Sequence, residues 1–376
     1  MHILQLHNEY LYYGGEDTAI KLERELLIKN GHTVSQIIRK NENEISNIFS
    51  ILKVIKNLSY SFDSIDILEK KFKNKPLPDI VHIHNIFPLW TYSVLDFFQK
   101  KNVPIVMTLH NYRLIWNKIN PFDDSCIKYG LFKNSKYLTY IFGYLFNYKK
   151  NFLFKVNKFI TFTNFTKKEI LKSNIPKSRI RIKPNFLIYK KVNIKSISKK
   201  NNAIFASRLS QEKGITTLVK AWENINLKLN VYGDGPLYPS YKEKKYKNIK
   251  FFGKKDRKII QKQISNSKIL IFPSEWYECM PMTILEAFNE GTLVVASNIG
   301  SIRNIIKNYK TGILFQSGNP IDLKNKIKWA LNHPEKCDQI VLNAKKNFRD
   351  NYSDKVNSKL LINLYKKTIN KKYKRN

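Results

Sequence analysis

Two basic residues in the second half of the chain have the types and spacing to bind a phosphorylated ligand. They lie in the sequence ASRLSQEKG, where Arg208 follows a predicted strand and Lys213 precedes a predicted helix. Two cations at such a strand–loop–helix junction can clamp a diphosphate and neutralise the charge that develops on a departing phosphate group. In a chain this rich in lysine, the pair is equally consistent with two solvated charges, so its meaning depends on the neighbouring motifs.

Two carboxylates form a second candidate pair. Glu278 and Glu286 are separated by seven residues and follow another predicted strand, and Pro281 between them is placed where a helix can begin. One carboxylate in the loop and one on the helix can both face a cleft and bind sugar hydroxyls. The backbone N–H groups of Met280 and Met282, at the helix start, would meet anionic oxygens. Alone, Glu286 would be interpreted as an ordinary acidic residue on a helix.

Glycine-rich turns give weaker signals. Gly14 and Gly15 come directly before the first predicted helix, where paired glycines let the backbone approach a phosphate or a sugar, although a simple tight turn explains them as well. Gly233 begins a G-x-G sequence, but Pro236 follows it and no third glycine completes a dinucleotide fingerprint. We therefore reject an NAD-binding interpretation of this turn.

Short apolar runs alternate with amphipathic stretches along the chain, which is the pattern of βα units around parallel sheets. Two such series predict an α/β protein with two doubly wound, Rossmann-like domains, whose ligands bind at the carboxyl ends of the strands. The predicted strands span residues 2–7, 33–38, 80–84, 105–110, 158–163, 203–209, 227–233, 249–253, 268–274, 292–297 and 312–315. Helical patterns follow at about 320–332, 334–349 and 353–371.

The length of 376 residues suits two domains of ordinary size. A Pro-Asn step and a polar, Lys-rich stretch over residues 183–202 mark the boundary. We expect a first domain at 1–186, a second at 187–350, and a C-terminal helix at 351–376 that could cross back onto the first domain.

The chain carries 67 basic and 29 acidic residues, a net charge of +38 that attracts polyanions. Nucleic acid, an anionic membrane surface and phosphorylated substrates are all candidates, and part of the surplus is attributable to a Lys- and Asn-rich genome. Aromatic residues and lysines interleave over 131–165, which suits either an amphipathic helix at a membrane surface or a buried helix between domains. The basic tail at 366–376 could extend that surface or could fray.

The cysteines indicate a reducing compartment, because Cys126, Cys279 and Cys337 are far apart and form neither a disulfide framework nor a zinc motif. The N-terminus lacks the pattern of a signal peptide, and no apolar run reaches the roughly 18 residues of a spanning helix. We therefore expect a cytoplasmic protein.

Three histidines could be metal ligands or structural residues. His82 and His84 lie two apart on one face of a predicted strand, so a metal pair is conceivable, but no third ligand is evident in the sequence. A structural or substrate-lining role is the preferred interpretation. His7, at the end of the first strand, is interpreted as a core histidine.

Together these motifs resemble family 4 of the retaining nucleotide-sugar glycosyltransferases, whose fold is GT-B. Matching segments occur in the family's order from residue 3 to about 316: GGED (14–17), VHIHNIFP (81–88), TLHNYR (108–113), ASRLSQEKG (206–214), VYGDGP (231–236), FFG (251–253) and the two glutamates with VVAS (294–297). The chain departs from the family at two places. The Cys-rich segment of many relatives keeps only Cys126 here, and the family's Gly-Phe-Gly between the glutamates is Cys279-Met280-Pro281.

The resemblance implies a role for each matching residue. Arg208 and Lys213 would hold the donor diphosphate in place of a metal, Glu286 would bind the ribose and Glu278 the donor sugar. His110, after a strand of the first domain, would complete the catalytic set by facing the transferred sugar. Further donor contacts would come from Gly14, Gly15, Gly233, Lys254, Cys279, Met280, Pro281 and Met282.

The resulting hypothesis is a metal-independent hexosyl- or N-acetylhexosaminyl-transferase without a cofactor, in which the first domain binds the acceptor and the second the donor. The donor would be a nucleotide diphosphate sugar, with UDP favoured over GDP, and the acceptor a lipid-linked or polymeric glycan of O-antigen or capsule assembly at the inner face of the plasma membrane. Two alternatives stay open. One is an epimerase or phosphorylase of the same fold. The other is a nucleic-acid-binding protein, although no helix-turn-helix, zinc-finger or RNP-type motif supports it.

Overall fold

A computed structural model describes residues 1–9, 14–41, 60–112 and 150–373, together with Val54, Lys56 and Asn57. The chain divides into two compact units, one of Met1–Lys183 with Ser358–Asn376 and the other of Pro184–Asn357. Each unit is built on its own six-stranded sheet.

The first unit contains a wholly parallel sheet in the order β2-β1-β3-β4-β5-β6. Its strands are β1 (His2–Glu9), β2 (Thr33–Lys40), β3 (Ile80–Ile83), β4 (Ile105–Thr108), β5 (Lys158–Thr161) and β6 (Ile180–Ile182). Every residue of β3, β4 and β5 is buried, which explains why apolar residues dominate these strands in the sequence. The sequence reading missed β6, because this short edge strand buries only Ile180.

Helices connect these strands as expected for βα units. They are α1 (Gly15–Lys29), α2 (Phe62–Phe72), α3 (Ser93–Lys100) and α4 (Asn164–Leu171). Helix α1 has Glu16 and Asp17 in its first turn, and Gly31 just beyond its end adopts φ +77°. This arrangement suits the helix dipole at one end and a left-handed termination at the other.

The aromatic segment predicted at 131–165 is only partly described. Residues 131–149 lie outside the described residues. From Lys150 to Lys155 the chain forms a short 3₁₀ helix, and Lys158–Thr161 is the buried strand β5. An amphipathic helix across 131–165 therefore does not extend through the described part, whereas the strand predicted at 158–163 is confirmed by β5.

The second unit also contains a parallel sheet, in the order β12-β11-β10-β7-β8-β9. Its strands are β7 (Asn202–Ala206), β8 (Lys228–Tyr232), β9 (Ile249–Phe251), β10 (Ile269–Phe272), β11 (Leu293–Ser297) and β12 (Ile313–Phe315). Its helices are α5 (Ile215–Ala221), α6 (Tyr238–Lys242), α7 (Arg257–Asn266), α8 (Met282–Glu290), α9 (Ile302–Ile305), α10 (Pro320–Asn332) and α11 (Pro334–Asn351).

The last helix, α12 (Asp354–Tyr373), contains the second boundary between the units. Its first turn belongs to the second unit, where Asn357 donates a hydrogen bond to the Pro184 carbonyl (2.6 Å). Further along, Leu361 and Tyr365 are fully buried in the core of the first unit. Among the described residues, no helix combines the length and the apolar character that crossing a membrane would require.

Each sheet has a topological switch point, which is the strand on whose two sides the chain connections run in opposite directions across the sheet. In the first unit β1 lies between β2 and β3, and in the second β7 lies between β8 and β10. Ligands of doubly wound sheets bind outside the carboxyl ends of the strands at such a point. The loops after β7 and β10 carry Arg208, Lys213 and Glu278, so the topology brings these three predicted residues to one edge of the sheet.

Candidate active site

The loop after β7 is held against the loop after β10 by a glycine. Arg208 follows β7 and is partly buried, and Lys213 ends a single 3₁₀ turn, Gln211–Lys213. Gly214 follows with φ +70°, and a Cβ at this position would lie 1.8 Å from the carbonyl oxygen of Pro273. Glycine is therefore required both by the backbone conformation and by the close approach of the two loops.

Lys213 and Glu278 form an ion pair across these loops. The Nζ of Lys213 contacts Oε1 of Glu278, and the hydroxyl of Ser274 donates to the same oxygen at 3.0 Å. Both charged side chains are only partly exposed, at 22% and 16%. Lys213, expected at the donor diphosphate, and Glu278, expected at the donor sugar, are thus adjacent. An anionic ligand would compete with Glu278 for Lys213.

Glu286 is a buried carboxylate on α8 with a basic partner. Arg257, the first residue of α7, donates from Nε (3.0 Å) and from Nη2 (2.9 Å), both to Oε1 of Glu286. Burial raises the pKa of the Glu286 carboxyl, and the guanidinium of Arg257 acts in the opposite direction. Sequence reasoning missed Arg257, because nothing in its spacing connects it with a glutamate 29 residues away.

The start of α8 leaves backbone donors uncapped by any described side chain. Pro281 is the N-cap residue and Met282 begins the helix, and the side chain of Pro281 makes no capping hydrogen bond to the first turn. Met280 and Met282 are buried, whereas Cys279 is partly exposed. The first N–H groups of a helix that lack a cap favour an anionic ligand.

The loops after β8 and β9 meet at Gly233. Its N–H donates to the Gly253 carbonyl (2.9 Å), and a Cβ on Gly233 would lie 1.9 Å from the carbonyl oxygen of Ser207. Gly233 is therefore required for the packing of three loop backbones, whatever its part in binding. Lys254, one residue beyond Gly253, is exposed.

In the first unit, the glycine pair is fixed by the start of α1. The N–H of Gly14 donates to Oδ2 of Asp17 (2.6 Å), and Oδ1 of Asp17 lies 2.8 Å from Nε2 of His7. Gly14 and Gly15 are both exposed. His7 is buried, as the sequence predicted, and the donor that Gly14 could offer to a ligand is already engaged by Asp17.

His110 follows β4 and is partly exposed. Its Nε2 lies 3.1 Å from Nδ1 of His84, and its ring packs against Phe162 at 5.5 Å between centroids. Burial, together with the neighbouring His84, holds the pKa of His110 well below its usual value, so the ring is neutral at physiological pH.

His82 and His84 do have an acidic neighbour, which sequence reasoning missed. Oε1 of Glu23 lies 2.8 Å from Nδ1 of His82 and 3.3 Å from Nε2 of His84, so the three residues are close enough to share a metal ion. Glu23 belongs to α1, far away in the sequence. The sequence signal for this contact is that Glu23 lies on the buried face of that helix.

The donor set of this cluster fits an internal polar network better than a metal centre. Lys183 lies 3.2 Å from Oε2 of Glu23 and balances its charge. The hydroxyl of Tyr365 lies 2.6 Å from Nδ1 of His82, and Thr108 Oγ1 lies 2.7 Å from Nε2 of the same ring. Both ring nitrogens of His82 therefore already have protein partners.

Comparisons with known proteins identify the family of the chain. Residues 13–187 match the family model described as Glycosyltransferase Family 4, and residues 190–347 match the model described as Glycosyl transferases group 1. An uncharacterized glycosyltransferase of Methanocaldococcus jannaschii is 25% identical over 350 residues, which is 89% of this chain and 90% of the relative. A 41.2 kDa protein in the cps region of Klebsiella pneumoniae is 23% identical over 300 residues, 75% of this chain and 73% of the relative.

Solved structures share the fold over nearly the whole chain. Anabaena HepE in complex with UDP and glucose superposes with a TM-score of 0.69 at 15% identity, covering 97% of this chain and 99% of that one. Sucrose-phosphate synthase from Thermosynechococcus elongatus gives 0.71 at 15% identity, covering 98% and 99%. Both family models and the shared fold lead to one conclusion: this chain is a glycosyltransferase of the family 4 type with the GT-B fold.

Proposed function

We propose that the protein transfers one hexosyl or N-acetylhexosaminyl group from a UDP-sugar, with retention of configuration, to a lipid-linked or polymeric glycan. The observation that carries the proposal is the convergence of Lys213 and Glu278 at the switch point of the second sheet, beside the uncapped start of α8. A cation, a carboxylate and free helix amides together fit a sugar joined to a diphosphate.

The second unit offers a group for each part of such a donor. Arg208 and Lys213 bind the diphosphate with the N–H groups at the start of α8. Glu278, released from Lys213 as the phosphates bind, accepts from the transferred sugar. Glu286 accepts from the ribose through Oε2, since both donors of Arg257 occupy Oε1.

The remaining predicted donor contacts stay part of the proposal. The backbone near Gly233 and Lys254 receives the base. Gly14 and Gly15 pass close to the diphosphate, and Gly15 is the more suitable donor because the N–H of Gly14 is bonded to Asp17. His110 contacts the transferred sugar.

The chemistry then needs no protein base. The bond between the anomeric carbon and the donor phosphate oxygen breaks, the acceptor oxygen bonds to the same face of that carbon, and its proton passes to the leaving phosphate. Negative charge grows on the diphosphate as this bond breaks, so Arg208 and Lys213 bind the transition state more tightly than the ground state. Two fixed cations take the role that a metal ion has elsewhere.

The acceptor class rests on the relatives and on charge. One relative lies in a cps region, another is named D-rhamnosyltransferase, and a structural neighbour has been solved with UDP-glucose. A chain of net charge +38 is attracted to an anionic lipid surface, where lipid-linked glycans are assembled. We therefore place the protein at the inner face of the plasma membrane, in capsule or O-antigen synthesis.

Ligand-dependent thermal stability tests the donor site. The wild type and Glu286→Ala are heated with UDP, GDP, ADP or a short oligonucleotide, and Glu223→Ala, at an exposed position of the same unit, is the control. A nucleotide at about 100 times its dissociation constant stabilises the folded protein by about 2.7 kcal/mol. We expect UDP to stabilise the wild type and the control but not Glu286→Ala.

Product analysis with the selected UDP-sugar then separates the alternatives. Transfer to a glycan supports the proposal, whereas an isomerised nucleotide sugar indicates an epimerase and a sugar phosphate indicates a phosphorylase. If the oligonucleotide alone stabilises all three proteins, the nucleic-acid alternative replaces the proposal.

A further inference from the structure

A chain of polar side chains inside the first unit leads from a buried carboxylate to His110. Glu23 is 3% exposed and contacts both His82 and His84, and His84 in turn contacts His110. Such a chain determines where protons reside, because each neutral imidazole has one nitrogen that donates and one that accepts.

The chain begins with an ionised glutamate. Burial alone would raise the pKa of Glu23, but His82, Lys183 and His84 outweigh it and hold that pKa well below its usual value. The Nζ of Lys183 lies 3.2 Å from Oε2, and the other oxygen faces the two histidines. A carboxylate can only accept, so it requires protons on the groups that face it.

His84 is therefore protonated on Nε2. Burial, with the nearby His82, lowers the pKa of His84 to about 3, so the ring is neutral and carries one proton. Its Nε2 lies 3.3 Å from Oε1 of Glu23, a distance of an ion pair rather than of an aligned hydrogen bond, and it makes no hydrogen bond among the described residues. A proton on Nε2 lies closer to the negative carboxylate than a proton on Nδ1 would, so Coulomb attraction favours Nε2 and leaves Nδ1 of His84 as an acceptor.

This tautomer determines the next one. The only way for Nδ1 of His84 to be satisfied at 3.1 Å is to accept from Nε2 of His110, which must then carry the proton. His110 is neutral, so its Nδ1 carries no proton, and within the described part of the chain no hydrogen bond reaches Nδ1 of this partly exposed ring.

We propose that Glu23, acting through His84, is a positioning residue that fixes the proton of His110 on Nε2 and so presents Nδ1 as an acceptor for a hydroxyl of the transferred sugar. The contact with sugar rests on the proposed transferase function, whereas the proton arrangement does not. A donor sugar with a hydroxyl at the contacted position satisfies Nδ1, and a deoxy sugar leaves a partly buried acceptor unpaired. The chain therefore selects hydroxylated over deoxygenated sugars at that position.

Nitrogen NMR tests the proton arrangement without any assay of activity. The chain has 7 histidines, so a long-range ¹H–¹⁵N spectrum of protein labelled with ¹⁵N-histidine contains few signals, and His110→Ala identifies those of His110. We expect a neutral ring with the proton on Nε2 at neutral pH. A proton on Nδ1, or on both nitrogens, overturns the proposal.

Glu23→Gln then tests the cause. A carboxamide can donate as well as accept, so the preference of His84 is released and His110 should show both tautomers, with kcat lowered about 10- to 100-fold and KM for the donor little changed. Glu25→Gln, two positions along α1 and exposed, is the matched control and should change neither readout. An unchanged single tautomer in Glu23→Gln overturns the role of Glu23.

Three further results keep the test decisive. If Glu23→Gln does not fold, the wild-type spectrum alone decides the proton arrangement. One equivalent of tightly bound metal in the purified wild type, lost in Glu23→Gln, would mean that Glu23, His82 and His84 form a metal centre and would overturn the proposal. If the wild type transfers no sugar but shows the expected tautomer, the proposed function fails while the Glu23–His84–His110 arrangement stands.

Discussion

Glu278 and Glu286 of the second unit each have a basic partner, and the two partners differ in exposure. Lys213, the partner of Glu278, is part of a loop and is 22% exposed, whereas Arg257, the partner of Glu286, projects from a helix and is 38% exposed. A lysine on a flexible stem can exchange one anion for another, while an arginine fork holds its carboxylate in one orientation. We therefore expect the first pair to open during turnover and the second to persist.

Lys213→Ala should lower turnover by about 10²- to 10³-fold, because it removes a cation that binds the leaving diphosphate more tightly as the bond breaks. Steady-state transfer from the UDP-sugar identified by thermal stability is the measurement. Lys220→Ala, an exposed lysine on the following helix, should leave turnover unchanged. Equal kcat values for Lys213→Ala and the wild type would remove Lys213 from the mechanism.

Glu286→Gln should stabilise the protein at neutral pH while abolishing its response to UDP. Burial raises the pKa of Glu286, so ionisation costs more in the folded chain than in the unfolded chain. This cost is absent below the pKa of an unfolded glutamate and is complete above the raised pKa. The gain in Tm of Glu286→Gln should therefore be present at neutral pH and disappear in acid.

Melting curves of Glu286→Gln between about pH 4 and pH 8 check this sign, since the pKa of a glutamate in an unfolded chain is about 4.3. Glu223→Gln is the control, as its side chain is exposed. A lower Tm than the wild type at neutral pH would show that the bond with Arg257 outweighs burial. Residues that serve binding commonly lower the stability of the folded protein.

Chelation should leave turnover unchanged, because Arg208 and Lys213 supply the positive charge at the diphosphate. Transfer is measured after extensive treatment with EDTA and again after Mg²⁺ or Mn²⁺ is restored. A loss of activity that either metal reverses would contradict metal independence.

Sequence motifs supplied candidates for side chains that act on a ligand, but none for side chains that act on other side chains. The spacing of Glu278 and Glu286 is visible in the sequence because both lie near one strand and one helix start. Glu23 and Arg257 reach their partners only through tertiary packing, and no spacing rule connects α1 with β3 or α7 with α8. Polar networks of this kind therefore emerge only from the structure.

At the scale of elements, the loops around the second sheet depend on backbone approach at glycines. Gly214→Ala should destabilise the protein by about 4 kcal/mol or more, because the added Cβ meets the Pro273 carbonyl at 1.8 Å. Gly318→Ala is a matched control, with φ +75° and its nearest atom 3.9 Å away, and should cost only about 1–2 kcal/mol. Urea unfolding followed by tryptophan fluorescence gives both values, and similar costs would show that the loops can separate.

Burial on both faces made most strands predictable. β3, β4, β5 and β10 are buried at every residue, so each is mainly apolar, and β10 is apolar throughout. An edge strand such as β6 needs no such run, and its pairing with β5 depends on backbone hydrogen bonds that any sequence can make. The order of strands in each sheet also could not be derived from the apolar pattern, which contains no information on neighbours.

At the scale of the whole molecule, the net charge of +38 predicts salt-sensitive binding to anionic lipid. The protein should sediment with vesicles that contain phosphatidylglycerol at about 0.1 M salt and be released at about 1 M, because screening shortens the reach of the surface potential. Vesicles of phosphatidylcholine alone are the control and should bind little protein. Absence of sedimentation with the anionic vesicles at low salt would contradict the proposed membrane surface.

The path of the chain through the two units also sets an order for completing their cores. The second unit is one continuous segment, and Leu187 and Ser353 near its two ends are joined by a β-bridge. The first unit lacks Leu361 and Tyr365 until α12 has left the ribosome. We therefore expect the residues of the second unit to be complete before those of the first, so Glu23 and its histidines receive Tyr365, their last neighbour, only after all of the second unit has been made.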